Sequence, residues 1–451
     1  TCCSKFGGAW QRLTVKITFP RIHSEFHSVD IGLLKVRLQT ERPTMRALVI
    51  GAGGVGSAIA NIASRKSFIT ELVIADYDAS KAHAVTQKIQ DPRFTSVEVD
   101  AGDLVALEGL IKKVNPDVVI NAVDPRFVMQ IFTAAQNTGV NYIDMAMSLS
   151  KAHPTDPFHK TGVMLGDEQF AQAEAWEKNE KYALIGIGIE PGMSDIFARY
   201  AQDYLFSEID AVTILDGSNL TVDGYDFAPS FSIWTTIEEC LNAPLLWDNG
   251  KWHTSEPFSG GVVFDFPEGI GPVECVDVEH EEVVLIPKKV KANHVSFKYG
   301  LGADFINTLK TIHALGLSKK EKVNYRGMEI APRDFLASLL PDPAKIGPLM
   351  HGKTCAGAHV KGLDKEGKPY ACYIYNVVDN QWSMDNYGDQ AVVWQTAINP
   401  VIAMELIANG TWKPQGVVGP EWMEPKPFLD LIEQYGSSWH IRDEDPAGLA
   451  L

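Results

Sequence analysis

Residues 46–50 form a short apolar run, Arg46-Ala-Leu-Val-Ile50, and the next six are Gly51-Ala52-Gly53-Gly54-Val55-Gly56. A buried parallel strand reads as an unbroken apolar run. A G-x-G-x-x-G turn set between such a strand and a helix reads as a dinucleotide-binding turn. Here the helix follows at once, in the Ala- and Ile-rich stretch 57–63. Gly51 allows the tight turn, Gly53 lets a pyrophosphate approach the backbone, and Gly56 lets the helix pack on the strand. Gly54 and Val55 then open the helix, whose free N–H groups and dipole favour phosphate. The expected fold is α/β, a Rossmann-type doubly wound parallel sheet.

The alternation continues downstream. Glu71-Leu-Val-Ile-Ala75 reads as a second strand ending at Asp76, 20 residues after Gly56. A carboxylate there accepts hydrogen bonds from the adenosine ribose and repels a 2′-phosphate. No Arg follows in Asp76-Tyr77-Asp78, so NAD is favoured over NADP. The simpler reading is that Asp76 caps the helix starting near Ala79. Further strands at 96–100, 117–120 and 139–143 alternate with helices at 104–114 and 127–138. Asn121-Ala122 and Asp144 therefore fall at strand ends, where such sheets bind ligands.

Past 190 the pattern changes. Residues 182–187 read as one more strand, followed by Glu190-Pro191-Gly192 and a helix that Ser194 could cap. From about 208 strands and turns dominate, among them 211–215, 261–264, Glu282-Val-Val-Leu-Ile286 and 371–375. Helical stretches lie between them. This implies a second, α+β domain carrying a mixed sheet. The expected organisation is an extension over 1–44, a dinucleotide domain over 45–190, a catalytic domain over 191–385, and C-terminal helices over 386–451 that return to the dinucleotide domain.

Composition limits the partners. The chain has 40 Lys and Arg against 57 Asp and Glu, a formal charge of −17, which is unsuited to tracking a phosphate backbone. No membrane span is expected. Six cysteines in 451 residues fit a reducing compartment better than a disulfide or zinc scaffold. Residues 1–44 are basic, begin with Thr1 and contain no Met. They read as an upstream extension, or as an organelle transit peptide. The expectation is a cytoplasmic homodimer acting on a small molecule, without nucleic acid, membrane or metal.

The ordered motifs resemble the saccharopine dehydrogenase family over about 45–440. They are the Met45–Gly56 start, Asn121-Ala122, Glu190-Pro191-Gly192, Asp223-Gly-Tyr-Asp-Phe-Ala-Pro-Ser-Phe-Ser232, Leu340-Pro-Asp-Pro343, Gly352-Lys-Thr354, Tyr375-Asn-Val-Val-Asp379 and Gly388-Asp-Gln-Ala391. Carboxynorspermidine dehydrogenases share several of the later motifs. Typical members have Asp-Pro-Gly where this chain has Glu190-Pro191-Gly192. The resemblance implies an NAD(P)-dependent oxidoreductase acting on CH–NH bonds. It would join an amine or amino acid to a carbonyl compound as an imine and reduce it, in lysine metabolism or polyamine synthesis. A nucleotide sensor without chemistry is the non-enzymatic alternative.

Such chemistry needs carboxylates to stabilise a cationic imine and a general acid/base. Asp144 and Glu190, each after an apolar strand, are candidates. Lys353, in Gly352-Lys-Thr354, could bind a substrate carboxylate or move a proton. His280, flanked by Glu279 and Glu281, could be a tuned acid/base, or part of a surface charge run. Tyr225, Phe231 and Trp234 are candidate pocket walls, or core.

Overall fold

The computed structural model describes residues 43–448. The expectations for the extension 1–44 thus fall, but for its last two residues, outside the described residues.

The first half is a run of βα units: β1 (Met45–Ile50), α1 (Gly54–Ser64), β2 (Ile69–Asp76), α2 (Ala79–Ile89), β3 (Phe94–Glu98), α3 (Leu104–Val114), β4 (Val118–Asn121), α4 (Val128–Thr138) and β5 (Asn141–Asp144). Local chemistry sets the helix ends. Asp78 and Asp103 accept hydrogen bonds from first-turn N–H groups of α2 and α3, as capping residues do. Gly139 ends α4 in the left-handed region, which costs glycine nothing. Two short helices, α5 (Asp167–Phe170) and α6 (Ala173–Lys178), lead to β6 (Tyr182–Leu184).

These strands form a seven-stranded parallel sheet in the order β3-β2-β1-β4-β5-β6, closed at the β6 edge by strand Gly416–Val418. Except for the edge strand β3, the strands are mostly buried and apolar, as a sheet covered by helices on both sides requires.

Helix α7 (Met193–Tyr200) leads through a π-helical turn into β7 (Phe206–Ser218), the spine of a second, nine-stranded sheet. On one side β7 pairs in parallel with Ala292–Gly300; on the other it pairs antiparallel with Lys353–Asp364. The sheet is therefore mixed. Helix α8 (Ile233–Leu241) is capped by Ser232.

Three local expectations change. Glu282–Leu285 is one helical turn, not a strand. Its β-branched run is buried on every side, and a short run of that kind carries no periodicity that separates helix from strand. Ser194 does not cap α7; its hydroxyl donates to Glu282, and the Asp195 carboxylate takes the Gly192 N–H instead. The stretch 386–451 also holds strands: Gly416–Val418 in the first sheet and Trp439–Glu444 in the second. Its main helix, Ala391–Ala408, is long and apolar enough to cross a membrane by length and composition alone. Here it is mostly buried and packs on α1.

Candidate active site

A cavity of about 900 Å³ opens between the carboxyl ends of the parallel strands and the end of β7. Its two ends are chemically unlike.

The outer end is built from main chain. Gly51 has φ of 109°, a conformation open essentially to glycine, and a Cβ there would lie 2.4 Å from the Ala122 carbonyl oxygen. A Cβ on Gly56 would lie 1.9 Å from the Gly51 carbonyl oxygen. A Cβ on Gly53 would meet nothing within 4 Å. So two glycines are needed to fold the turn, and the third leaves open space over the N-terminus of α1. That terminus has no side-chain cap; its N–H groups are left for an anion. Gly54, Val55, Asn121 and Ala122 line the cavity. Asn121 is fixed by donating to the Tyr142 hydroxyl and accepting from the Val123 N–H.

Asp76 is buried, and its two oxygens accept from the N–H groups of Ala52 (2.8 Å) and Asp78 (3.0 Å). It pins the glycine turn to β2. It does not cap α2, a task that falls to Asp78. Tyr77, 69% exposed, and Lys81 complete this end. The open glycine, the uncapped helix and the carboxylate at the end of β2 fit an adenine dinucleotide, whose nicotinamide would carry hydride to or from the substrate.

The inner end is built from ionisable side chains. Glu190, Asp216, Glu239, His280 and Glu281 all line it. They come from four places: the turn before α7, the end of β7, helix α8, and the segment before the 282–285 turn. Among the described lining residues Lys81 is the one Lys or Arg, and it lies beside Tyr77 at the other end. Burial pushes the Asp216 and Glu239 carboxyls up to about 8. Glu190 is pushed well above the usual carboxylate range, by burial and then by Asp216 and Glu282. One of its oxygens is buried without any hydrogen-bond partner. An unpaired buried carboxylate oxygen is costly, and the same side chain lines the cavity.

His280 is buried and stacked face to face on Phe297 at 3.8 Å. The surface charge run considered from sequence is not what the structure shows. Burial acts to lower its pKa, but the charges of Glu282, Glu281 and Glu239 raise it well above the ordinary imidazole value.

Of the expected cofactor residues, Gly51, Gly53, Gly56 and Asp76 are not part of the cavity lining. Of the catalytic and substrate residues singled out from sequence, Glu190, His280 and Phe231 reach the cavity. Four do not. Asp144 turns inward: its oxygens accept from the Gly186 N–H (2.7 Å) and the Gln169 amide (2.8 Å). It ties β5 to the chain leaving β6, and burial pushes it up to about 7. Lys353 lies on the opposite face of its strand from Thr354, which does line the cavity; it bonds to the Glu268 carbonyl. Successive residues of a strand face opposite ways. Trp234 is buried under Arg126 and Arg333, and Tyr225 is an exposed turn residue. The sequence reading missed Asp216, Glu239 and Glu281, as well as Lys81. Asp216 closes an apolar strand, the same signal that singled out Glu190.

The family model for the saccharopine dehydrogenase NADP binding domain matches residues 47–184, and that for the saccharopine dehydrogenase C-terminal domain matches 188–437. The carboxynorspermidine synthase of Vibrio alginolyticus is 29% identical over 412 residues, covering 89% of this chain and 98% of the relative. The carboxyaminopropylagmatine dehydrogenase of Synechocystis is 27% identical over 402 residues, covering 88% and 97%. The saccharopine dehydrogenase (L-Glu forming) of Saccharomyces cerevisiae has the same fold, with a TM-score of 0.62 at 14% identity, over 89% of this chain and all of that one. The chain belongs to the saccharopine dehydrogenase family and is an NAD(P)-dependent oxidoreductase.

Proposed function

We propose that this enzyme reduces the imine formed between a polyamine-type amine and a carbonyl compound, and that its physiological substrates are cationic amines, not the amino acids of lysine metabolism. The observation that carries this is the inner end of the cavity, where four carboxyl groups gather, while Lys81, the one Lys or Arg among the described lining residues, lies at the other end. A substrate assembled from two amino acids brings several carboxylates, which need cationic or N–H partners. An amine with a second cationic group brings the charge this wall lacks. The relatives named for carboxynorspermidine and carboxyaminopropylagmatine support the same reading.

In this reading Glu190 faces the imine nitrogen. Its carboxyl group favours the protonated imine C=NH⁺, the form that accepts hydride, and in the reverse direction it stabilises the positive charge that develops as hydride leaves. Asp216, Glu239 and Glu281 hold the amine-bearing chain. The glycine turn and Asn121 set the depth of the cofactor.

NADH consumption with a diamine plus aspartate semialdehyde, with agmatine plus the same aldehyde, and with lysine plus 2-oxoglutarate tests the proposal. Turnover with either of the first pairs and not the third is expected. Turnover confined to lysine plus 2-oxoglutarate would overturn it. We further propose that NAD(H) is preferred, because Asp76 ends β2, where a carboxylate disfavours a 2′-phosphate. Among the described lining residues Lys81 is the one Lys or Arg, and a higher kcat/KM with NADPH would overturn this preference.

A further inference from the structure

His280 makes its hydrogen bond through Nδ1, to Glu282 Oε2 at 2.5 Å. Glu282 is fully buried, and its other oxygen accepts from Ser194 Oγ at 2.8 Å. Ser194 lies in the first turn of α7, directly after the Glu190-Pro191-Gly192 turn that delivers Glu190 to the cavity. The ring itself is held in plane by Phe297. Glu282 thus grips both the imidazole and the helix start beside Glu190. With Nδ1 occupied, Nε2 is the nitrogen left for the cavity, and it has no hydrogen-bond partner among the described residues.

We propose that Glu282 is a positioning residue that holds His280 with Nε2 toward the cavity, and that His280 gives the proton with which a carbinolamine loses water. This rests on the reading of the enzyme as an imine-forming reductase. The amine and carbonyl first add to give a carbon bearing both –OH and –NHR. The His280 Nε2 proton passes to the hydroxyl, the C–O bond breaks with its electron pair on oxygen, and water leaves. The nitrogen lone pair becomes the new C=N bond, leaving a cationic imine beside Glu190 and a neutral imidazole. One proton is consumed, and no oxidant or reductant is involved.

A carboxylate hydrogen-bonded to one ring nitrogen fixes the tautomer and stabilises the imidazolium. The surroundings strengthen that bias. Glu281 and Glu282 face His280 from its own segment, Glu239 from α8, Glu190 and Asp195 from the start of α7, and Asp216 from β7. Glu282, Glu281 and Glu239 raise the His280 pKa well above the ordinary imidazole value, which favours the protonated ring this step requires.

The test is the pH profile of kcat for reductive amination in wild type and Glu282→Gln, with dinucleotide affinity measured alongside. The amide keeps the shape and removes the charge. The alkaline limb should move down by about one pH unit or more, the size of shift an adjacent charge produces, while dinucleotide Kd stays within about twofold. A lower kcat with an unmoved limb would overturn the proposal, because a merely structural role does not retitrate His280. Should the variant not fold, ¹⁵N NMR of histidine-labelled wild type decides. A His280 ring still protonated at pH 7 with its Nδ1–H in a strong hydrogen bond supports the proposal, and a neutral ring contradicts it. Failure of wild type to reduce any imine would sink the functional reading instead, with the NMR result unaffected.

Discussion

The outer end of the cavity is built largely from main chain: an uncapped helix start lines it, next to a bare glycine and a buried carboxylate held by backbone N–H groups. At the inner end a ligand meets carboxyls and an imidazole from four separate elements, several with raised pKa values. The first end is settled by backbone geometry before any ligand arrives. The second stores electrostatic strain that a cation would relieve. The difference teaches that one cavity can bind a constant partner by backbone geometry and a variable one by charge.

The sharpest way to break the comparison is at Glu190. Glu190→Gln should lower kcat by about 10- to 1000-fold, the scale of losing one electrostatic stabiliser, with dinucleotide Kd nearly unchanged. Steady-state kinetics with a calorimetric Kd measures both. Asp144→Asn should act differently, lowering thermal stability through its bonds to Gly186 and Gln169 while kcat in the folded enzyme changes by less than about threefold. This is the usual pattern for a residue that stabilises the fold without touching the reacting atoms. Equal kcat losses in both variants would erase the distinction between the two carboxylates.

Gly53→Val tests the outer end. Its Cβ meets nothing in the protein, so the fold should survive while dinucleotide affinity falls at least about tenfold, as a side chain displaces the pyrophosphate. Unchanged affinity by calorimetry would show that the turn does not hold phosphate.

A smaller effect separates the ends by pH. The Asp216 and Glu239 carboxyls ionise near 8 in the fold and near 4 when unfolded, by about the ordinary carboxylate value. Between those limits the unfolded chain has released protons that the fold retains. Stability of the ligand-free enzyme should therefore be greatest at the acid side of this window and fall as pH rises through it toward 8. A melting temperature that rises from pH 5 to 8 would contradict the burial of these groups. The smallest effect is expected from Lys353→Ala, whose side chain faces away from the cavity; kcat should stay within about twofold.

The outer end was legible in the sequence because its chemistry is local. A strand, six residues of turn and a helix start carry it, and Asp76 follows at fixed spacing. The inner end was legible only in fragments. The strand-end rule found Glu190, yet the same rule chose Asp144, whose carboxylate turns back to Gly186 as the chain leaves β6. It could equally have found Asp216. His280 stands in a run of acids that looks solvated until Phe297 and the 282–285 turn bury it. Lys353 was misplaced because strand alternation, not motif membership, decides which neighbour faces the ligand, and Thr354 holds that position. No local pattern joins Glu190 to Glu239 or Glu281; tertiary packing alone brings them together.

The most direct test of the central claim, that the inner wall takes a cationic amine, is calorimetric titration of a diamine into the enzyme bound to oxidised dinucleotide, at pH 7 and pH 9, in buffers of different ionisation enthalpy. A cation binding among carboxyls that ionise near 8 must expel their protons at pH 7. The expected result is net proton release at pH 7, tighter binding at pH 9, and no measurable binding of a dicarboxylate such as 2-oxoglutarate. Proton uptake on diamine binding, or a dicarboxylate bound more tightly than the diamine at both pH values, would contradict it.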